Sequence, residues 1–385
     1  MTAAGGRAPW LLAPVIAMLA YGYTFNMGFF NYYLSVGLAC FALAIFWPPR
    51  KSTRKQDCIV GALLLGLGVL AHPIGPLWCL VTLAYLSVRG IFPGFWRFSA
   101  PAAAVGIAVA AHWCMARLTA LEVSWPDKPF YFFNGADQLH VYTPLYRLVA
   151  AAQVVIFVAW IAWSVYQRRD RASFLKTFLL LSELYLVSVC VIAMLPQDIR
   201  MGLYSAWIGL LVSRLTLVSA IFALGALNCL KPGKWVLISG AACAAIFFTL
   251  LYRDTLLINR LELRAEEITR TLPFGTRVIP TLEPRPDSRI SFVGHVIDRA
   301  CIARCFTYSN YEPSSLQFRV RVAPGSPIAT ASAGDSQEME AGNYVVQPAD
   351  PSLLDIYQCS PADFTIVCAR QLAVGEKTGQ AGDSE

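Results

Sequence analysis

Glu183 and Arg214 are the residues in this chain best suited to chemistry. They lie in adjacent apolar stretches, and sequence spacing places both near mid-membrane on antiparallel helices. A charge alone at that depth costs about 2.5–3.5 kcal/mol on insertion scales, so an interhelical ion pair between them is one reading. The other is that Arg214 faces a cavity and binds an anionic ligand such as a lipid phosphate. His72, beside the break His72-Pro73-Ile74-Gly75-Pro76, either caps a broken helix or handles a ligand or proton. Asp137 and His140 stand three apart in Asn134-Gly-Ala-Asp-Gln-Leu-His140, as a base and its orienter would, although Gly-Ala-Asp is also ordinary turn chemistry. Asp198 is a further acid near the bilayer. Arg200 follows it as a phosphate contact or a snorkelling anchor.

Near the C-terminus, His295, Asp298, Cys301 and Cys305 have the residue types that bind zinc. Their spacing fits no standard structural zinc pattern, so no metal is expected. The four cysteines of this region, Cys301, Cys305, Cys359 and Cys368, suggest two disulfides, with three connectivities open. The other seven lie in or beside apolar stretches, where cysteine behaves as a small hydrophobe. Phosphate-binding glycine loops, GxSxG and HExxH are missing from the sequence, and no cofactor is expected.

The elements that position these residues follow from a break in composition near residue 253. Of 24 carboxylates only seven precede it, although it closes two thirds of the chain. Excluding acids over such a length avoids the cost of charge in hydrocarbon. A polytopic α-helical membrane domain is therefore expected over 1–252, followed by a small soluble α/β or α+β domain over 253–375 and a disordered tail over 376–385. Nine spans fit, near 9–25, 28–47, 58–72, 75–91, 98–116, 148–166, 174–195, 202–229 and 235–252. The pair 58–72 and 75–91 could instead be one kinked helix. The stretch at 9–25 competes with a signal peptide, but lacks a clear cleavage pattern, so an uncleaved span is expected.

Charge sets the orientation. Basic links after residues 47, 166 and 229 face the cytoplasm together only if 58–91 crosses twice. The N-terminus is then cytoplasmic and the C-terminal domain extracytoplasmic, where disulfides persist. The link at 117–147, rich in aromatic residues including Trp125, Tyr142 and Tyr146, is expected on the outer side, lying against the bilayer surface. In the soluble part, 255–272 reads as an amphipathic helix. Short strands are expected at 277–282, 289–293, 316–322, 343–347 and 364–368, with a mobile loop at 324–342. The first 252 residues carry a formal charge of +11 and the remainder −4. The lipid bilayer is the expected partner, and a mildly acidic tail without a basic patch argues against nucleic acid.

The stretch Met27-Gly-Phe-Phe-Asn-Tyr-Tyr-Leu34, then Gly37-Leu38, His72-Pro73 and Gly135-Ala-Asp-Gln138, resembles bacterial membrane proteins related to the C-type glycosyltransferases. The segments Asp298-Arg-Ala-Cys301 and Tyr311-Glu-Pro313 are similar to tails of uncharacterised bacterial members. The resemblance implies an inner-membrane protein that transfers a sugar from a polyprenyl-phosphate donor at the outer face. A carboxylate would be the base, and basic residues would hold the lipid phosphate. The family's acid sits on its first outer loop, but the short loop at Thr24-Phe-Asn26 has none. Either an N-terminal portion of the fold is missing or the chain is not catalytic. Asp137 and Asp198 could substitute, with Arg200, Arg214 and His72 toward phosphate. A non-enzymatic envelope protein whose soluble domain binds a partner or glycan is the alternative. A transporter ranks third, because no second broken helix mirrors the one at His72.

Overall fold

The structure is a computed structural model that describes residues 9–47, 54–92, 94, 98–118, 121–125, 132–167, 172–201, 207–230, 232–285, 287–308, 335, 338–339, 341–360 and 363–379. The chain divides into two compact units, the first ending at Phe248 and the second starting at Thr249.

The first unit is helical: α1 (Ala13–Ala20), α2 (Tyr23–Asn26), α3 (Phe30–Phe46), α4 (Lys55–Ala71), α5 (Ile74–Ile91), α6 (Ser99–Arg117), α7 (Leu145–Gln167), α8 (Ala172–Ala193), α9 (Leu211–Asn228) and the start of α10 (Lys234–Thr271). Six of these, α5 to α10, are long and apolar enough to cross a membrane, so the chain is a multi-pass membrane protein. Nine spans were expected, and length is the reason for the difference. Helices α3 and α4 have 17 residues each, about 26 Å, against a hydrocarbon core of about 30 Å. The stretch at 9–25 is interrupted at Tyr21-Gly22. The doubtful region 58–91 forms two helices, because Pro73 lacks the N–H that would continue α4.

Two further boundaries move. Helix α9 starts at Leu211 rather than 202, since β2 (Asp198–Met201) and β3 (Trp207–Ile208) precede it. Together with β1 (Leu121–Ser124) they form an antiparallel sheet in the order β1-β2-β3. The stretches expected as a span at 235–252 and a separate amphipathic helix at 255–272 are one continuous helix, α10, of 38 residues and about 57 Å.

Small residues let these helices approach closely. A Cβ on Gly75 of α5 would sit 2.3 Å from Ser35 Oγ, so only glycine permits the α3–α5 crossing. The core between α3, α5, α8 and α9 includes Tyr32, Trp78, Leu181 and Phe222. The 117–147 link departs from its expected surface position. Its segment Asp137–Tyr142 is buried, and Gly135, at φ +90°, presses against Ala220 of α9, where a Cβ would come within 2.8 Å.

In the second unit, β4 (Arg277–Thr281) runs parallel to both β5 (Phe306–Thr307) and β6 (Leu353–Gln358), and β7 (Val367–Gln371) is antiparallel to β6. The sheet order is β5-β4-β6-β7. Leu261 and Ala265 of α10 and Val296 and Ile297 of α11 (Val296–Ala300) bury against Val278 and Ile356, which makes a mixed α and β domain. Of the expected strands, 277–282 corresponds to β4, while 364–368 shares only residues 367 and 368 with β7, which starts three residues later because the chain turns at 364–365. The 289–293 run is a turn entering a short helix, and 343–347 makes a single bridge, Val345 to Lys377. The expected strand at 316–322 lies outside the described residues, as do most of the 324–342 loop and residues 380–385 of the tail.

Candidate anion-binding site

The site is built on the first turn of α9. Leu210, at φ 56°, turns the chain into the helix, and its N–H donates to Asp198 Oδ1 at 2.8 Å. The Leu211 N–H donates to the Gln197 carbonyl at 2.8 Å. Buried polar side chains fix this turn from the other side. Gln138 Nε2 donates to the Ser213 carbonyl at 2.7 Å and to Thr216 Oγ1 at 2.8 Å, and its Oε1 accepts from Thr24 Oγ1 at 2.9 Å. Gln197 Nε2 donates to Ser213 Oγ at 3.2 Å. Buried hydrogen bonds of this kind favour one arrangement of the turn, although Gln197 Oε1 has no partner among the described residues. They hold the residues on either side of Arg214.

Arg214 therefore sits in the first turn of α9, not at mid-membrane as the span 202–229 implied. Its guanidinium lies over the Phe29 ring at 3.8 Å, and Tyr32 donates its hydroxyl to the Arg214 carbonyl at 2.9 Å. His72 approaches from the break between α4 and α5, its Nε2 3.4 Å from Arg214 Nη1. His72 Nδ1 accepts from the Ile74 N–H at 3.3 Å, which assigns the proton of the neutral ring to Nε2. Two donors thus face each other without an acceptor between them. Arg214 Nε is also buried and unpartnered. Among the described residues Arg214 forms no carboxylate ion pair.

The expected pair of Glu183 with Arg214 is corrected: Glu183 bonds Arg89. Arg89 Nε donates to Glu183 Oε1 at 2.6 Å and Nη2 to Oε2 at 2.9 Å, while Tyr85 donates its hydroxyl to Oε1. Arg89 stands in the last turn of α5, within reach of the middle of α8 through its long side chain. Glu183 sits mid-helix while Arg214 belongs to a helix end, so the two lie at different depths. This frees Arg214 for a ligand.

The remaining sequence candidates separate. Asp137 and His140 are 0% and 2% exposed, in the turn that packs on α9. Asp137 Oδ2 accepts from Thr216 Oγ1 at 3.0 Å, a role in positioning the same helix turn. Asp198 is brought to the same helix turn: it is half-buried and holds the Leu210 N–H. Arg200 is instead tied to Glu122 across the β1–β2 pair at 3.2 Å, on an exposed face where such a pair contributes little. Phe29, Tyr32 and the Thr24–Gln138–Thr216 network were not foreseen. The polar residues Thr24, Gln138 and Gln197 in an otherwise apolar setting are the signal that marks the last.

In the second unit the four cysteines form two local bridges, Cys301–Cys305 and Cys359–Cys368. His295 Nδ1 is 2.8 Å from Asp298 Oδ2, and among the described residues no three His, Cys, Asp or Glu side chains converge. Asp363 has its carboxyl pulled below the ordinary range by hydrogen bonds from the Thr365 hydroxyl at 2.7 Å and N–H at 2.9 Å. Comparison with protein-family models, curated proteins and solved structures finds no match.

Proposed function

We propose that this multi-pass protein of a bacterial inner membrane holds the phosphate of a polyprenyl-phosphate-linked sugar at the outer face, in the manner of the C-type glycosyltransferases it resembles in sequence. The observation that carries the reading is Arg214, a cation stacked on Phe29 with no carboxylate partner among the described residues, whose donors converge with His72 Nε2. An anion bridging both nitrogens from one side accepts from donors that otherwise face one another 3.4 Å apart, and an adjacent helix N-terminus favours negative charge. Orientation is supported by Arg54, Lys55 and Lys234, which begin helices at the end opposite the α9 N-terminus. A cytoplasmic position for these cations puts the site outside and carries α10 outward to an extracytoplasmic C-terminal domain, where its disulfides persist.

Asp198 is the acid beside the site and takes the base role in a transferase reading. The sealed positions of Asp137 and His140 favour the alternative, a non-enzymatic envelope protein that binds the lipid without turnover. The test measures binding of polyprenyl phosphate to the full chain in nanodiscs, wild type against Arg214→Gln. Loss of a charge-assisted hydrogen bond predicts about 10- to 150-fold weaker binding. Equal affinity would reject the site. Radiolabelled polyprenyl-phosphate sugar added to membranes then separates the readings. Turnover abolished by Asp198→Asn supports the transferase, and binding without turnover in the wild type supports the envelope protein.

A further inference from the structure

A cavity of about 390 Å³ lies among α1, the 134–139 segment, α7, α8 and α9, on the face of α9 carrying Ala220, Ala223 and Leu227. Arg214 does not line it, so it is separate from the anion site. Its walls are almost wholly apolar. Val154 and Val158 of α7 line it and are 39% and 60% exposed, so the cavity opens sideways between helices of the membrane domain, toward lipid. Its volume falls in the range of small-molecule sites.

One lining residue is out of place. Gln153 of α7 is 2% exposed, and neither its Oε1 nor its Nε2 has a hydrogen-bond partner. Asn134 and Tyr185, which also line the cavity, are engaged elsewhere: Asn134 Oδ1 accepts from the Ala136 N–H at 2.9 Å, and Tyr185 donates its hydroxyl to the Asn134 carbonyl at 3.3 Å; Ser182 of α8 is the remaining hydroxyl in the lining. A buried amide left without partners costs about 1–3 kcal/mol, which an apolar residue of similar size would avoid. A bridging water needs two to four polar partners, and the lining around Gln153 is hydrocarbon.

We infer that this cavity binds a neutral amphiphile with a long hydrocarbon chain, and that the Gln153 amide hydrogen-bonds its hydroxyl group. A hydroxyl both donates to Oε1 and accepts from Nε2, which an ester or ether oxygen does not. A charged headgroup finds no counter-ion among the lining residues. The chain fills the space between α7 and α9, entering past Val154 and Val158. Two sources share this chemistry, a free long-chain alcohol and a diacylglycerol.

The experiment uses the full chain in nanodiscs and a diazirine-bearing hexadecanol as photoprobe. Hexadecanol, dioleoylglycerol and hexadecane serve as competitors. Label is expected on peptides of α7 and α9. Hexadecanol or dioleoylglycerol should compete at least 10-fold better than hexadecane, and the stronger of the two identifies the source. Gln153→Leu should remove that preference while leaving the fold intact, since leucine suits an apolar wall. Ala223→Phe, which fills the cavity, should abolish specific label, and Arg214→Gln should leave it unchanged. Equal competition by hexadecane, an unaltered preference in Gln153→Leu, or label spread evenly over α4 and α6 would overturn the inference.

Discussion

Replacing Arg89 with methionine should cost this protein about 3 kcal/mol of stability, and replacing Glu183 at the same time should recover most of it. The carboxylate is only 20% exposed and receives two bonds from the guanidinium and one from Tyr85. Removing Arg89 strips both charge-assisted bonds and leaves a half-sealed acid in the middle of α8. Breaking a buried pair from one side costs about 3–5 kcal/mol. A lone charge in a membrane-spanning helix costs roughly 2.5–3.5 kcal/mol, which sets the expected loss at the lower end of the preceding range. The double variant Arg89→Met, Glu183→Leu removes both charges and should return to within about 1 kcal/mol of the wild type. Unfolding of the full chain in mixed detergent and SDS micelles reads both variants, and the double should recover at least about 2 kcal/mol of what Arg89→Met loses. Arg214→Met combined with Glu183→Leu is the control: these residues share no partner, so their effects should add to within about 0.5 kcal/mol. Additive effects for Arg89 and Glu183, or strong coupling of Glu183 to Arg214, would refute the assignment and remove the argument that Arg214 is free for a ligand.

Two predictions concern the second unit. Asp355 is fully buried between β4 and β7, bonded by Arg370 Nη2 at 3.1 Å and by Thr281 Oγ1 at 2.6 Å. Arg370→Ala should destabilise this domain by about 3–5 kcal/mol, seen as faster limited proteolysis after α10, while an unchanged rate would refute the role. Thr365→Ala should raise the Asp363 carboxyl toward its ordinary value, because both bonds that favour the ionised form come from or depend on Thr365. Since the folded carboxyl titrates below the unfolded one, its contribution is complete above the unfolded value, about pH 4, and is lost as pH falls through the folded value. NMR titration of the carboxyl in wild type and variant checks the direction.

Much of the frame is legible without coordinates because it follows from solvation, a property of each residue in its local stretch. Only seven carboxylates in 252 residues mark a chain solvated by hydrocarbon, and Pro73 marks a break at which either two helices or one kinked helix is compatible with the sequence. The amphipathic repeat at 255–272 and the strand at 277 follow from local periodicity in the same way. The second unit also contains a case where that signal fails. Leu353-Leu-Asp-Ile-Tyr-Gln358 is the inner strand β6, yet an acid stands at a buried position in it. That acid is tolerated only because Arg370, fifteen residues on, comes to meet it.

The functional residues divide along the same line. Composition and spacing single out Glu183, Arg214, His72 and Asp198, because charge in an apolar setting is rare enough to need a reason. Which of them meet is a matter of depth and rotation of packed helices. A start of α9 nine residues later than its apolar run moves Arg214 from the middle of a span to its end, and so exchanges a partnership with Glu183 for contact with Phe29 and His72. The sequence determined that these charges would be held in an apolar protein. The tertiary structure alone decided their partners, because pairing energies fall off within a few ångströms and helix ends are set by contacts between segments distant in the chain.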